Sequence, residues 1–192
     1  MSAPSDIMPD RQEIWSSIYG AFRLAFFDTS GLNHLNISVE GFWRSFFAAL
    51  LVAPGYVILA GQGLIVDDES LSIWLIVVHT IIYAVSWMIF PLTAFFIIDL
   101  LKLGHRFTAL IVAVNWAAVI EVTVMILGLG FAMVMPPDAA NLMIVAIVVG
   151  LIIYQWFVIR TALQSSGTVA FAFVLFGLLV SAMLEKLTAR LL

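Results

Sequence analysis

The sequence contains no cysteine and very little charge. Only 10% of its 192 residues are Asp, Glu, Lys or Arg, whereas about 25% is usual in a soluble domain. The absence of cysteine excludes a disulfide framework, a thiolate metal site and a cysteine nucleophile. The low charge excludes a soluble enzyme, a disordered tail and a nucleic-acid-binding protein, because each of these needs a polar or basic surface. The hydrophobic fraction of 64% predicts a polytopic membrane protein instead.

Five apolar segments are each long enough to cross a bilayer as a helix, which takes about 20 residues. Short breaks that are polar or contain proline separate them. Helices are favoured over strands because alternating segments of about ten residues are absent. The fold class predicted is all-α, a polytopic membrane bundle of five transmembrane helices in one domain over residues 40–192. The predicted spans are 41–64, 71–98, 107–134, 139–159 and 168–184.

The basic residues predict the orientation of the bundle. With the N-terminus in the cytoplasm, six of the eight lie on the cytoplasmic side, and only Lys186 and Arg190 lie outside. Since cytoplasmic loops carry an excess of Lys and Arg, we expect the N-terminus inside and the C-terminus outside. The compact chain lacks targeting signals, which favours the bacterial inner (plasma) membrane.

Residues 1–39 are expected to form a cytoplasmic segment with one amphipathic helix over residues 10–27. Asp10 is a good N-cap for this helix. Apolar residues recur along it at helical spacing, and these are Ile14, Trp15, Ile18, Phe22, Ala25 and Phe26. This pattern favours a helix in the plane of the membrane interface, with Trp15, Phe22, Phe26 and Arg23 as anchors. The alternative is a helix that packs against the underside of the bundle.

Polar residues inside the predicted spans are candidates for function, because ionisable groups in a membrane are costly. Glu121 in the third span is the strongest candidate, and His79 in the second is next. By helical rise, His79 lies about 12 Å and Glu121 about 9–15 Å below the outer surface, so antiparallel neighbours could bring them together. Tyr83 extends the polar stripe of His79 by one turn, and Asn115 lies deeper toward the cytoplasm.

Two interpretations of Glu121 remain open at this stage. In the functional one, Glu121 and His79 form a proton-linked or ligand-binding pair in a cavity and titrate together. In the structural one, the Glu121 carboxyl group is protonated or hydrogen-bonded and fixes the register of its helix. The acidic run Asp67-Asp68-Glu69 is expected to be an outer loop, and no metal site is predicted.

Motifs of enzymes are missing from the sequence. It contains no Gly-x-Ser-x-Gly elbow, no His-Glu-x-x-His pair and no Walker loop, and each of these would indicate a specific chemistry. Loops of about 4–8 residues leave no room for a catalytic domain outside the membrane. We therefore expect no catalytic residue, no cofactor and no enzymatic activity.

The first span begins with Phe42-Trp43-Arg44, and the five spans are joined by short polar breaks. In topology and length, residues 40–187 resemble bacterial members of the Yip-domain family. The resemblance implies a five-span bundle with a cytoplasmic N-terminus and no settled activity. The acidic-Leu-Tyr-Gly-Pro and Gly-Tyr-Gly motifs of eukaryotic members are absent, and Pro54-Gly55-Tyr56 is not a match. The GTPase and trafficking contacts of those members are therefore not carried over, and no site residue transfers.

Two functional hypotheses follow. The first is a non-enzymatic, Yip-like membrane protein that scaffolds, organises or binds a partner. The alternative is a small transporter or channel-like protein that uses Glu121, His79 and Asn115. The expected partners are the lipid bilayer and either a second copy or another membrane protein, with no nucleic acid. Because five such helices are expected to enclose little space alone, homo-oligomerisation could supply a transport route.

Overall fold

A computed structural model describes residues 8–66 and 73–191, and within these residues the chain is helical with no strand. The predicted acidic loop at 67–70 and the first two residues of the predicted second span lie outside the described residues. The helices are α1 (Arg11–Ala25), α2 (Val39–Ser45), α3 (Phe47–Val66), α4 (Ile73–Leu100), α5 (Phe107–Ala132), α6 (Pro137–Leu163) and α7 (Gly167–Leu191). Short 3₁₀ helices at Thr29–His34 and Gly104–Arg106 precede α2 and α5. The predicted all-α class is confirmed.

Five helical segments are long and apolar enough to cross a membrane. They are Val39–Gly61, α4, Gly104–Ala132, α6 and α7. The chain is therefore an integral membrane protein. Two helices extend past the apolar segments of the sequence, since α6 ends at Leu163 and α7 at Leu191. The main-chain hydrogen bonds of a helix continue beyond the hydrocarbon core, so hydropathy underestimates its length.

The first span is divided into two helices. α2 ends at Ser45 and α3 begins at Phe47. At the junction the amide of Phe46 donates to the carbonyl of Trp43, and the amide of Ala49 donates to that of Phe46. These bonds to the third preceding residue tighten the chain as in a 3₁₀ turn. The break therefore comes from the hydrogen-bonding pattern at Phe46, whereas Pro54 lies within the continuous helix α3.

Helix α5 lies at the centre of the bundle. It packs against α3 and α6 within the membrane and against α1 and α2 near its first residues, while α7 packs against α6 and α4. The first half of α5 is the most buried segment, with Leu110, Ile111, Val112 and Ala113 fully inaccessible. Since lipid is as apolar as these side chains, close packing rather than burial from water holds the helices together.

Helix α1 docks on the bundle through small residues and leaves its aromatic side chains outside. Ser17 and Ala21 are buried, and the Tyr154 hydroxyl of α6 donates to the carbonyl of Ala21 at 3.0 Å. Trp15 and Phe26 are 71% and 70% exposed. The six apolar residues therefore do not share one face as predicted: Ile14, Ile18 and Ala25 pack on the core, and the aromatics point away from it. Helix α1 thus packs against α5 and α6 and keeps its aromatic side chains exposed.

Two glycines bring α1 and the following 3₁₀ helix into backbone contact. A Cβ atom added at Gly20 would lie 2.7 Å from the carbonyl oxygen of Gly31. One added at Gly31 would lie 2.5 Å from the carbonyl oxygen of Gly20. Neither position has room for a side chain, so this junction requires glycine on both sides.

Hydrogen bonds of the Glu13 side chain connect α1 to α2 and to the residues that precede it. The Glu13 carboxylate accepts hydrogen bonds from Asn36 Nδ2 and Arg44 Nη1, both at 2.8 Å. The Glu13 and Arg44 side chains are 14% and 24% exposed, so solvent screens this ion pair less than it would screen a surface pair. The segment between α1 and α2 therefore contacts α1 near both of its ends, at Gly31 and at Asn36.

We predict that Asp28 makes the α1 junction sensitive to acid. The hydroxyl and amide of Ser30 donate to Oδ1 of Asp28 at 2.6 and 2.9 Å, and Arg23 Nε donates to Oδ2 at 2.7 Å. The hydrogen bonds from Ser30 and then from Arg23 lower the pKa of Asp28 from 3.8 to about 2. Because the pKa is lower in the folded protein, this stabilisation is complete above pH 3.8 and disappears as the pH falls through about 2.

The thermal unfolding midpoint, measured in detergent as a function of pH, tests this prediction. The wild-type protein is expected to lose more stability than Asp28→Asn between pH 4 and pH 2, and Asp138→Asn at the other end of the bundle serves as the control variant. Equal losses in the wild type and Asp28→Asn would show that Asp28 does not contribute to the acid response.

Candidate functional site

All five spanning segments contribute side chains to one cavity of about 530 Å³, which we call the central cavity. This volume, found within a single chain, differs from the expectation that five such helices enclose little space alone. The proline inside α4, Pro91, is among the lining residues.

The wall of the central cavity is mostly apolar and aromatic, with a few polar groups. This composition is typical of pockets for small molecules, in which a few polar atoms orient the ligand. The polar and amphipathic lining residues are Tyr56, Tyr83, Ser86, Trp87, Asn115, Glu121, Gln155 and Ser181. Glu121 is the one ionisable carboxyl group among the lining residues that the structure describes.

Glu121 lies near the middle of α5, fourteen residues after Phe107 and so about 21 Å along the helix axis. Its Oε1 atom is buried and has no hydrogen-bond partner among the described residues. Buried polar atoms are almost always paired in folded proteins, so an unpaired carboxylate oxygen in a cavity calls for an explanation. A ligand that donates a hydrogen bond or carries positive charge would satisfy this atom.

His79 is connected to the central cavity through a tyrosine. Its Nδ1 atom lies 3.3 Å from the hydroxyl of Tyr56, within hydrogen-bonding distance. The ring of Tyr56 packs against that of Tyr83 at a tilt of 37°, with the ring centroids 4.7 Å apart. Both tyrosines line the cavity. Across the described part of the chain, His79 and Glu121 form no ion pair, because α3 supplies Tyr56 as the partner of His79.

The other two predicted site residues have defined hydrogen-bond partners. Asn115 is buried, and its Nδ2 atom donates to the hydroxyl of Ser45 at 2.9 Å. The Ser45 hydroxyl in turn donates to the carbonyl of Phe42 at 2.7 Å. The Tyr83 hydroxyl donates to the carbonyl of Ala49 at 2.5 Å. These bonds fix the two side chains against the first span, so they shape the cavity wall.

Five of the polar and amphipathic cavity residues were absent from the predicted site, namely Tyr56, Ser86, Trp87, Gln155 and Ser181. Aromatic residues are frequent in transmembrane helices, so Tyr56 and Trp87 give no signal on their own. Gln155 offers one, since it is a polar amide in the fourth apolar span. The sequence alone did not indicate that this amide faces the same space as Glu121.

The predicted interfacial anchors of α1 fall into two groups. Trp15, Phe22 and Phe26 have large exposed fractions and remain available to a membrane surface. Arg23 instead forms an ion pair with Asp28, and its guanidinium lies 5.7 Å from the ring centroid of Tyr19. Its interactions within the protein therefore provide a structural role besides the predicted one.

Comparisons with protein-family models, with curated proteins and with solved structures find no match. The Yip-domain resemblance therefore stays a prediction.

Proposed function

We propose that this protein is a small transporter that binds a lipophilic cation in the central cavity and exchanges it for a proton. One observation carries the proposal: the Oε1 atom of Glu121 is buried in a cavity made by all five spans and has no partner among the described residues. A carboxylate in such a place is costly, and transport proteins use such groups to hold ions or protons.

The remaining cavity wall fits an apolar molecule with positive charge. Aromatic rings attract cations through their negative faces, and Tyr83, Trp87 and Phe90 line the cavity. The volume of about 530 Å³ lies within the usual range for small-molecule pockets. The chemistry of the wall thus supports a cation with an apolar body rather than a hydrated metal ion.

We infer exchange of the cation for a proton because both would bind to the same carboxyl group. A cation and a proton would compete for the same oxygens of Glu121, so binding of one displaces the other. His79 lies six residues after the start of α4 and is linked through Tyr56 to the cavity. This pair supports a path for protons toward the end of the bundle opposite α1.

The scaffold hypothesis is the second candidate. It requires a closed bundle whose function depends on an outer surface, and the exposed aromatics of α1 offer such a surface. The central cavity and the unpaired Glu121 have no role in that hypothesis. For this reason we place transport first, as a non-enzymatic function.

We propose further that the N-terminus and α1 lie in the cytoplasm and that the membrane is the bacterial inner membrane. The support for the orientation is the distribution of basic residues. Arg11, Arg23, Arg106 and Arg160 all belong to the end of the bundle at which α1 docks. That distribution follows the excess of positive charge in cytoplasmic loops.

Equilibrium dialysis with two ions of the same shape tests cation binding. Tetraphenylphosphonium and tetraphenylborate are both lipophilic and differ in the sign of their charge, so detergent partitioning is measured for each without protein. We expect purified protein to retain the phosphonium with saturable binding and to show no saturable binding of the borate. Saturable binding of both ions, or of neither, would contradict the proposal.

Flux in proteoliposomes tests exchange. With the membrane potential held at zero by potassium and valinomycin, a proton gradient is expected to drive tetraphenylphosphonium accumulation on the acidic side. Vesicles without protein provide the baseline. Binding without proton-driven accumulation would leave a ligand-binding membrane protein and reject the transporter.

A further inference from the structure

A second cavity, of about 680 Å³, lies at the α1 end of the bundle and shares no lining residue with the central cavity among the residues that the structure describes. It is formed by the 3₁₀ helix after α1, the beginning of α5 and the end of α6. We call it the basic cavity. The polar residues that matter for its chemistry are Thr29, Ser30, Arg106, Arg160, Gln164 and Ser165.

The basic cavity has positive charge without a compensating acid. It contains two guanidinium groups, those of Arg106 and Arg160, and no lining residue within the described chain is Asp or Glu. Asp28 immediately precedes the lining segment, but its two carboxylate oxygens accept hydrogen bonds from Ser30 and Arg23. The charge of the two cavity arginines is therefore available to an anion.

The two arginines are held in place from the protein side. Arg106 donates to the side-chain oxygen of Gln164, which caps α6 in the left-handed conformation with a φ of 49°. The guanidinium of Arg160 lies 5.3 Å from the ring centroid of Trp156. Such support preorganises a binding site, because less side-chain freedom is lost when the ligand arrives.

One hydrogen-bonding group in the cavity lacks a partner. The Oγ atom of Ser165 is buried and makes no hydrogen bond with the described residues. The nearby carbonyl oxygens of Arg160 and Thr161 already accept hydrogen bonds from the amides of Ser165 and Gln164, respectively. The unpaired hydroxyl can therefore donate a hydrogen bond to an acceptor that enters the cavity.

We propose that the basic cavity binds a phosphate group, presented by the headgroup of an anionic phospholipid. Guanidinium groups bind phosphate oxygens through paired, charge-assisted hydrogen bonds. The cavity lies where α5 begins and α6 ends, which is the depth of lipid headgroups. Basic pockets between spanning helices are known to bind headgroups with exposed phosphates. This inference is independent of the function proposed for the central cavity.

Thermal unfolding in detergent with added ligands tests the site. The probes are cardiolipin, phosphatidylcholine and inorganic phosphate, each titrated at constant ionic strength. We expect cardiolipin to raise the unfolding midpoint by several degrees, and phosphatidylcholine to have a smaller effect because its choline group opposes the arginines. If inorganic phosphate alone reproduces the shift, the phosphate site stands and the lipid source is rejected.

Two variants test whether the lipid binds at the basic cavity, and a third tests whether any loss of positive charge at this end of the bundle has the same effect. Arg160→Gln and Arg106→Gln are each expected to weaken cardiolipin binding by about tenfold, the effect of losing charge-assisted hydrogen bonds. Arg11→Gln removes an exposed charge at the same end of the bundle and is expected to bind like the wild type. Because Arg160 is exposed, its variant is the one expected to keep the unliganded stability.

Three results would overturn the proposal. One is the absence of any midpoint shift with both cardiolipin and phosphate. Another is an equal shift with phosphatidylcholine. The third is a loss of affinity in Arg11→Gln as large as that in Arg160→Gln, which would indicate attraction to the whole charged surface.

Discussion

The Glu121→Gln variant is expected to bind tetraphenylphosphonium about 100-fold more weakly than the wild type. The substitution keeps the size of the side chain and removes its charge. Loss of one partner of a desolvated charge pair costs about 2–5 kcal/mol, and 100-fold corresponds to about 2.7 kcal/mol. Equilibrium dialysis measures the change directly, with Glu40→Gln, an exposed carboxylate in α2, as the matched control.

The pH dependence of binding separates a direct role of Glu121 from an indirect one. Since protons compete with the cation for the carboxylate, wild-type affinity is expected to fall as the pH is lowered. Glu121→Gln should show weak binding that does not change with pH, because glutamine does not titrate. A variant that keeps the pH profile of the wild type, even at reduced affinity, would move the proton site to another residue.

The Gly20→Ala variant is expected to lose about 1–3 kcal/mol of unfolding free energy, the usual cost of overpacking. The added Cβ would approach the Gly31 carbonyl to 2.7 Å, so one of the two backbones has to move. A displaced α1 would also weaken the hydrogen bond from Tyr154 to Ala21. Unfolding in mixed micelles, followed by circular dichroism, measures the loss.

The control for Gly20 is another glycine in a helix. A methyl group added at Gly150 in α6 would have no atom of another side chain or helix within 4 Å in the described part of the chain. Alanine there is expected to be neutral or stabilising by up to about 1 kcal/mol, because it favours the helix. If Gly20→Ala and Gly150→Ala unfold alike, the glycine contact between α1 and the 3₁₀ helix does not contribute to stability.

Hydropathy predicted the number of spans because the bilayer sets one length scale for every helix. It did not predict the break at Phe46, since that depends on a few hydrogen bonds within an apolar run. Nor did it predict that α1 presents small residues to the bundle. Ser17 and Ala21 carry little hydropathy, yet their size permits close approach and their burial determines which face of α1 is inside.

The site was only partly visible in the sequence. The sequence indicated Glu121 because placing a single acidic residue within an apolar span costs free energy. Its relation to His79 depends on lateral packing, and Tyr56 from a third helix is the residue that contacts the histidine. The basic cavity could not be predicted for a similar reason, because Arg106 and Arg160 are far apart along the chain. In the sequence, both arginines were explained by the excess of basic residues on the cytoplasmic side.

The hydrogen bond between Tyr154 and Ala21 has a consequence for biosynthesis. These residues are 133 positions apart. At a translation rate of about 5–20 residues per second, roughly 7–27 s pass between their synthesis. Helix α1 therefore cannot complete its docking until α6 has been made. Its outward aromatic side chains give it a means of resting on the membrane surface during that interval, before the bundle that receives it exists.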